Sequence, residues 1–438
     1  MIGMIPRAID IVGLCRPGKT LLVMGPHRSG KTTLLKQYLE AADLPSVYYD
    51  GGNLSVQAQF SVNDIAHLRK SIEGFAVIAL DEAQDIPHIG MSLKIINDHS
   101  PETIVIATGS SSFDLRGQVG EPLVGRKTTC VLYPLAVWEL LSADASMPAS
   151  VAWRELLPNL LRFGMYPDSV LANSDREREE FLRELVDSLL LRDILMYQEI
   201  KDPGLLLQLL VLLAHQIGQE VSLSELGLSL GIRRETVARY LDLLEKGFVI
   251  FRLGGFSRNL RSEVTKKAKY FFYDIGVRNA VINNFNPLEI RNDGGQLWEN
   301  FAIVERMKAR AYKPVFANQY FWRTWKRSEI DLIEERDGTH YAYEMKLNPG
   351  KRNPGNTVRA PKEWAESYGD VSTFEVITPD DLLEFADYRE QACDGSVSRS
   401  GRLSREGRSR LARRQHGAPA RPRRCREPRR FLGGYSSR

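Results

Sequence analysis

Residues 25–33 read Gly25-Pro26-His27-Arg28-Ser29-Gly30-Lys31-Thr32-Thr33, an order of side chains suited to the phosphates of a nucleotide. Gly25 and Gly30 leave room for backbone N–H groups to close around phosphate oxygens. Lys31 can reach the β- and γ-phosphates, and Thr32 offers a hydroxyl to Mg²⁺ at the start of a helix whose dipole favours anions. Two carboxylates, Asp81 and Glu82, end an unbroken apolar run that starts at Phe75. Asp81 suits the water shell of Mg²⁺, and Glu82 is placed to polarise a water attacking the γ-phosphate. In Thr108-Gly109-Ser110-Ser111 a hydroxyl, taken as Ser110, could sense the γ-phosphate or orient that water; a plain polar turn is the other reading. Arg116 and Arg126 are the candidates for stabilising transition-state charge, in their own subunit or a neighbour's. Arg126 is preferred, with a solvated loop arginine as the alternative.

A second group of chemistry-bearing residues lies near the other end. Ser328 to Glu334 and His340 to Lys346 read as two strands joined by Arg336-Asp337-Gly338, a tight-turn signature. Side-chain alternation puts Glu329 and Asp331 on one face of the first strand. On the second, Glu344 and Lys346 share a face, with Tyr341, Tyr343 and Met345 on the other. Pairing can therefore converge Asp331, Glu344 and Lys346. Two carboxylates are the minimum protein share of a Mg²⁺ site, and a nearby lysine can activate water. A solvated acidic hairpin is the alternative.

The elements that must position these residues follow from periodicity. The apolar stretch into Met24 is a strand, and a helix follows the Gly-rich loop. Ser46 to Asp50 and Thr103 to Ala107 read as further strands, and Ser61 to Ser71 as a helix. The run before Asp81 fits a strand buried on both faces of a parallel sheet, whose C-terminal edge is where such sheets bind ligands. Ser174 to Glu177 forms a capping box. After it Phe181, Leu182, Leu185, Val186, Leu189 and Leu190 predict an amphipathic helix to about Arg192-Asp193, a packing element or lid. Leu205 to Ile217, the segment capped by Ser222 to Glu225, and Thr236 to Leu244 predict three helices. The last has Val237, Tyr240, Leu241 and Leu244 inward and Arg233, Arg234, Thr236 and Arg239 outward. With the strand Phe248 to Leu253 this is a winged helix-turn-helix, a module used both to read DNA and to dock proteins. Lys269 to Gly276 is a buried aromatic strand, and Gln296 to Arg310 a helix with Leu297, Phe301 and Val304 inward. Ala360 to Tyr368 and Phe374 to Thr378 read as a helix and a strand.

The loop GPHRSGKTTLL, the LDEAQ strand end and the ATGSSS turn resemble the AAA-type ATPase module of a widespread prokaryotic family. In that family the ATPase is followed by a winged helix and a domain of restriction-endonuclease type. Residues 134–173 resemble the loops after the ATPase core. The order helix-Glu, Asp, Glu-x-Lys resembles the PD-(D/E)XK nuclease core, which would place Glu299, Asp331 and Glu344 around a metal with Lys346 beside it. The resemblance spans nearly all of residues 1–390. It implies an α/β architecture divided into a P-loop ATPase domain (1–150), a helical lid or linker (151–200), a winged helix-turn-helix with a connecting strand (201–284) and a nuclease-like domain (285–390). The implied function is an ATPase using ATP and Mg²⁺, coupled to a fold that acts on or holds nucleic acid. The competing reading is a nucleotide-binding regulatory protein that docks a protein partner, its nuclease fold inactive. DNA, a protein partner and a homo-oligomer are the partners these readings admit.

Composition limits the rest. The formal charge of +4 hides an Arg-rich end: residues 396–438 hold fourteen Arg and two Glu, a charge of +12, which leaves residues 1–395 at −8. An acidic body does not attract nucleic acid by bulk charge, so any such binding must use local patches. The tail (391–438) lacks apolar periodicity and is expected to be disordered, and its abrupt change of composition reads as the product of a shifted reading frame, outside the family pattern. Cys15, Cys130, Cys393 and Cys425 are too dispersed for a disulfide frame or a zinc site. No membrane-length apolar run or signal pattern is present, and a cytoplasmic location is expected.

Overall fold

The computed structural model describes residues 5–110, 123–143, 146–188, 202–256, 268–313, 315–324, 328–348 and 359–386. Ser111, Arg116, Leu189, Leu190, Arg192, Asp193 and the Arg-rich tail lie outside the described residues.

A five-stranded parallel sheet carries the N-terminal part. Its strands are β1 (Thr20–Met24), β2 (Ser46–Asp50), β3 (Val77–Asp81), β4 (Ile104–Gly109) and β5 (Lys127–Val131), in the order β2-β3-β4-β1-β5. Every residue of β1 and β3 is buried, as expected of continuous apolar runs with a packed layer on each face. The helix expected over 61–71 runs Ile65–Ile72, and a second helix, Leu54–Phe60, comes before it. The chain breaks between them because two short side chains each start a helix: Asn53 accepts from the Ser55 N–H and Asp64 from the His67 N–H. Strand β5 had no counterpart in the sequence reading. Its Lys-Thr-Thr-Cys-Val composition shows no apolar alternation, and pairing with β1 alone makes it a strand.

Residues 134–173, expected as loops, contain the helices Val137–Ala143, Ala149–Phe163 and Pro167–Leu171. The capping box holds: Ser174 Oγ accepts from the Glu177 N–H at 3.2 Å and opens the helix Asp175–Ser188. Three helices follow, Pro203–His215, Leu223–Leu230 and Arg234–Lys246, the last burying Val237, Tyr240, Leu241 and Leu244 as its spacing predicts.

The second sheet has seven strands in the order β12-β11-β10-β9-β7-β8-β6. They are β6 (Glu220–Val221), β7 (Ile250–Gly255), β8 (Ala268–Phe272), β9 (Asn318–Arg323), β10 (Glu329–Arg336), β11 (Thr339–Met345) and β12 (Ser372–Ile377). The join is the parallel pairing of Gly254 and Gly255 with Tyr320 and Phe321, reinforced by the Phe256 N–H donating to the Phe321 carbonyl at 2.7 Å. Segments 201–284 and 285–390 therefore share one sheet and one apolar core. Asp337 and Gly338 both have positive φ (51° and 73°), which the two-residue turn between β10 and β11 requires.

One helix, Gly294–Tyr312, ties the two sheets together. Trp298, Phe301 and Ile303 enter the C-terminal core, and Tyr312 packs with the layer beside the parallel sheet. Its buried Glu305 accepts from the Val137 N–H at 2.8 Å, and Lys308 donates to the Leu135 carbonyl and to Glu305, both at 2.7 Å.

Candidate functional site

The Gly-rich loop leaves β1 at the C-terminal edge of its sheet. Gly25 has φ 151°, and a Cβ there would stand 2.2 Å from the Leu132 carbonyl oxygen, so the loop must pass β5 as bare backbone. Gly30, also at positive φ, precedes the helix Lys31–Ala41, and no side chain caps the free N–H groups of its first turn. Lys31 is buried, its Nζ donating to the carbonyls of Gly25 (3.0 Å) and Pro26 (2.9 Å). Ser29 Oγ is buried and makes no hydrogen bond among the described residues. A cationic, donor-rich loop of this kind fits a phosphate chain. His27 and Thr32 are half-buried and Thr33 exposed, while Pro26 is buried. Arg28 turns outward to Glu184 at 2.8 Å.

Asp81 ends β3 beside this loop. One of its carboxylate oxygens accepts from the Tyr48 hydroxyl at 2.8 Å and the other from the Thr108 hydroxyl. Burial, then the adjoining Asp81, pushes the Tyr48 hydroxyl well above its usual range, so it stays a donor. Glu82 sits in the left-handed region (φ 45°), its N–H donating to Thr108 Oγ1 at 3.1 Å and its carboxylate accepting from Gln84 at 2.5 Å. Strain on a non-glycine residue at the edge where the phosphates would lie is the kind that functional positions retain. Ser110 is buried just beyond β4, and of the hydroxyls in that turn Thr108 bonds both Asp81 and the Glu82 N–H.

Arg126 is a correction. It precedes β5, opposite Thr20 at the start of β1, and pairs with Asp98 at 2.5 Å. That is the other edge of the sheet, about 13 Å along β1 from the loop at the strand rise of ~3.3 Å per residue. It does not serve its own chain's phosphate site. The arginine that touches the loop is Arg7, almost fully buried. Its guanidinium donates to the Ser29 carbonyl (2.6 Å), the Tyr133 carbonyl (2.6 Å), Glu139 (3.1 Å) and, at 3.4 Å, the Tyr312 hydroxyl. Nothing in the local pattern around residue 7 marks it.

The C-terminal residues do gather, with an addition. Lys269 Nζ, from β8, lies 3.0 Å from Glu299, 2.6 Å from Glu329 and 4.0 Å from Asp331, and 5.4 Å from the Phe321 ring centroid. Asp331 accepts from the Met345 N–H at 2.8 Å, and Lys346 pairs with Glu344 at 2.6 Å. Burial works against the Lys269 charge, but Glu299, Asp331 and Glu329 outweigh it and hold the ammonium well above its usual range. One cation cannot satisfy three acids: burial, then the charge of Asp331, pushes Glu299 up to about 8. Burial likewise raises Asp331 and, with Asp331 beside it, Glu344. Among the described residues no group of three or more His, Cys, Asp or Glu side chains is spaced to hold a metal. Of the set expected around an ion, Glu299 and Asp331 are gathered with Glu329 around an ammonium instead and Glu344 pairs with Lys346, and this donor set does not fit a divalent cation. The sequence signal was a lone lysine in the buried strand Ala-Lys-Tyr-Phe-Phe, a charge that needed a partner.

Comparison with known proteins agrees with the N-terminal geometry. Residues 17–141 match the model of an AAA domain, so this part of the chain is a P-loop ATPase-like, nucleotide-binding domain. Residues 154–288 and 294–391 match two domains of unknown function, DUF8612 and DUF4143. An uncharacterised protein of Mycobacterium tuberculosis is 28% identical over 331 residues, 74% of this chain and 70% of its own length. An uncharacterised Haemophilus influenzae protein is 28% identical over 66% of this chain and 74% of its own. One from Methanocaldococcus jannaschii is 23% identical over 81% and 80%. The solved structure of protein VC1899 from Vibrio cholerae aligns with 84% of this chain and 96% of its own at 11% identity, with a TM-score of 0.14. Among the described residues no helix is long and apolar enough to cross a membrane.

Proposed function

We propose that this chain is an ATP-hydrolysing switch. Gly25 to Thr33 would hold the phosphates, with Lys31 exchanging its two loop carbonyls for them. Thr32 and Asp81 would hold Mg²⁺, which supplies fixed positive charge against the phosphate oxygens. Tyr48 and Thr108 fix the Asp81 carboxylate, and Glu82 orients the attacking water, with Ser110 nearby at the same sheet edge.

The observation that carries the switch reading is Arg7. A single buried guanidinium grips the Ser29 carbonyl of the phosphate loop and also Glu139, Tyr133 and Tyr312. A change in the Ser29 peptide is thereby felt at the end of the helix that enters the C-terminal core. The helices 203–246 with β6 to β8 are read as a winged helix, and residues 294–386 as a restriction-endonuclease-like scaffold. Together they form a docking body whose posture follows the nucleotide, and the exposed Arg233 and Arg234 are the positions through which it would meet DNA.

ATP turnover and nucleotide binding in Glu82→Gln test the core of this. Turnover should fall about 10²–10⁴-fold, the usual worth of a positioned general base, with binding retained. Turnover at the parent rate refutes the role of Glu82.

A further inference from the structure

The acid cluster of the second sheet carries an internal contradiction. It has the residue types of a divalent-ion site, yet its centre is taken. Lys269 Nζ touches Glu299 and Glu329 within 3.0 Å and stands 4.0 Å from Asp331, and its side chain is 1% exposed. The ammonium is also hemmed in. Phe321 lies to one side, and Gly218 backs Glu299 so closely that a Cβ there would come within 2.8 Å of its carboxylate. Other cations take the outer oxygens: Arg323 lies 3.7 Å from both Glu220 and Glu329, and Lys346 bonds Glu344. Mg²⁺ demands near-octahedral oxygens at about 2.0–2.1 Å and gives up its water reluctantly. An ammonium already on the carboxylates occupies the ligands and offsets part of the negative charge that would recruit the ion.

We propose that Lys269 is a built-in cation that keeps this cluster from taking up a divalent metal, so that the C-terminal scaffold works metal-free. The lysine does not come from the helix and hairpin that supply the acids. It arrives on β8, the strand that segment 201–284 contributes to the shared sheet. The cluster is thus closed by its neighbour in the chain, and the closure depends on the seam between β7 and β9.

The test is calorimetric titration of Mn²⁺ into nucleotide-free, full-length protein, comparing the parent with Asp331→Asn, Lys269→Gln and the double variant. The P-loop is identical in all four and cancels. The parent and Asp331→Asn should give the same weak heats. Lys269→Gln should gain a Mn²⁺ site at least about 10-fold tighter, as freed carboxylates are the ligands a hard cation needs, and the double variant should lose it. A Mn²⁺ site in the parent that Asp331→Asn abolishes overturns the proposal, whether or not Lys269→Gln folds. So does a Lys269→Gln protein with a parent-like melting curve and no new site.

Discussion

The phosphate loop and the acid cluster both set a buried lysine at a sheet of this molecule, and the two lysines face opposite company. Lys31 donates to the neutral carbonyls of Gly25 and Pro26, dipoles that a phosphate can replace. Lys269 bonds carboxylates, so its charge is spent on the protein itself. Backbone carbonyls can yield a lysine to an incoming anion, whereas buried carboxylates close over it. A motif that names residues without naming their partners cannot tell the two apart.

The sharpest way to break this contrast is to remove each lysine and read stability. Lys269→Met should cost about 3–5 kcal/mol near pH 8, because it strands buried carboxylates, and part of the loss should return near pH 5 as they take up protons. Thermal melts at the two pH values check this. Lys31→Ala should melt much as the parent does and instead lose turnover by about 10²–10³-fold, the worth of one phosphate clamp, in a steady-state ATPase assay.

A smaller effect follows from Glu299, whose carboxyl is raised from its ordinary 4.5 to about 8. Between those values the folded state holds a proton that the unfolded state has released, so stability is fullest below pH 4.5 and is lost as pH rises toward 8. Glu299→Gln should flatten that slope, visible as a Tm that no longer falls across this window. Smallest of all, Arg28→Ala removes the exposed pair with Glu184 and the contact with the Phe181 ring and should change stability by no more than about 1 kcal/mol.

The proposed phosphate site is legible because its residues are contiguous: a strand, six loop residues and a helix start, with Asp81 and Glu82 marked by their own apolar run. Its supports are not. Arg7, Tyr48 and Thr108 act through contacts that close only when distant strands pair, and no local period records them. Strand β9 escaped notice beside β5 for the same reason, since Asn318 to Arg323 alternate too weakly to declare a strand. In the C-terminal cluster the hairpin and its shared faces were readable from alternation. The occupant was not, because Lys269 lies thirty positions before Glu299 on a strand whose neighbour in the sheet is set by topology. A fragment starting near residue 280 would retain the acids and lack that lysine, and its metal affinity would mislead.

The two-rung seam at Gly254 and Gly255 also has a consequence for synthesis. Until Tyr320 and Phe321 emerge, 65 and 66 residues after Gly255, these rungs of β7 have no partner, and glycine offers no side chain to defend an open edge. At translation speeds of about 5–20 residues per second the nascent chain carries that open edge for roughly 3–13 s, the interval in which a ribosome-bound chaperone would have most to cover.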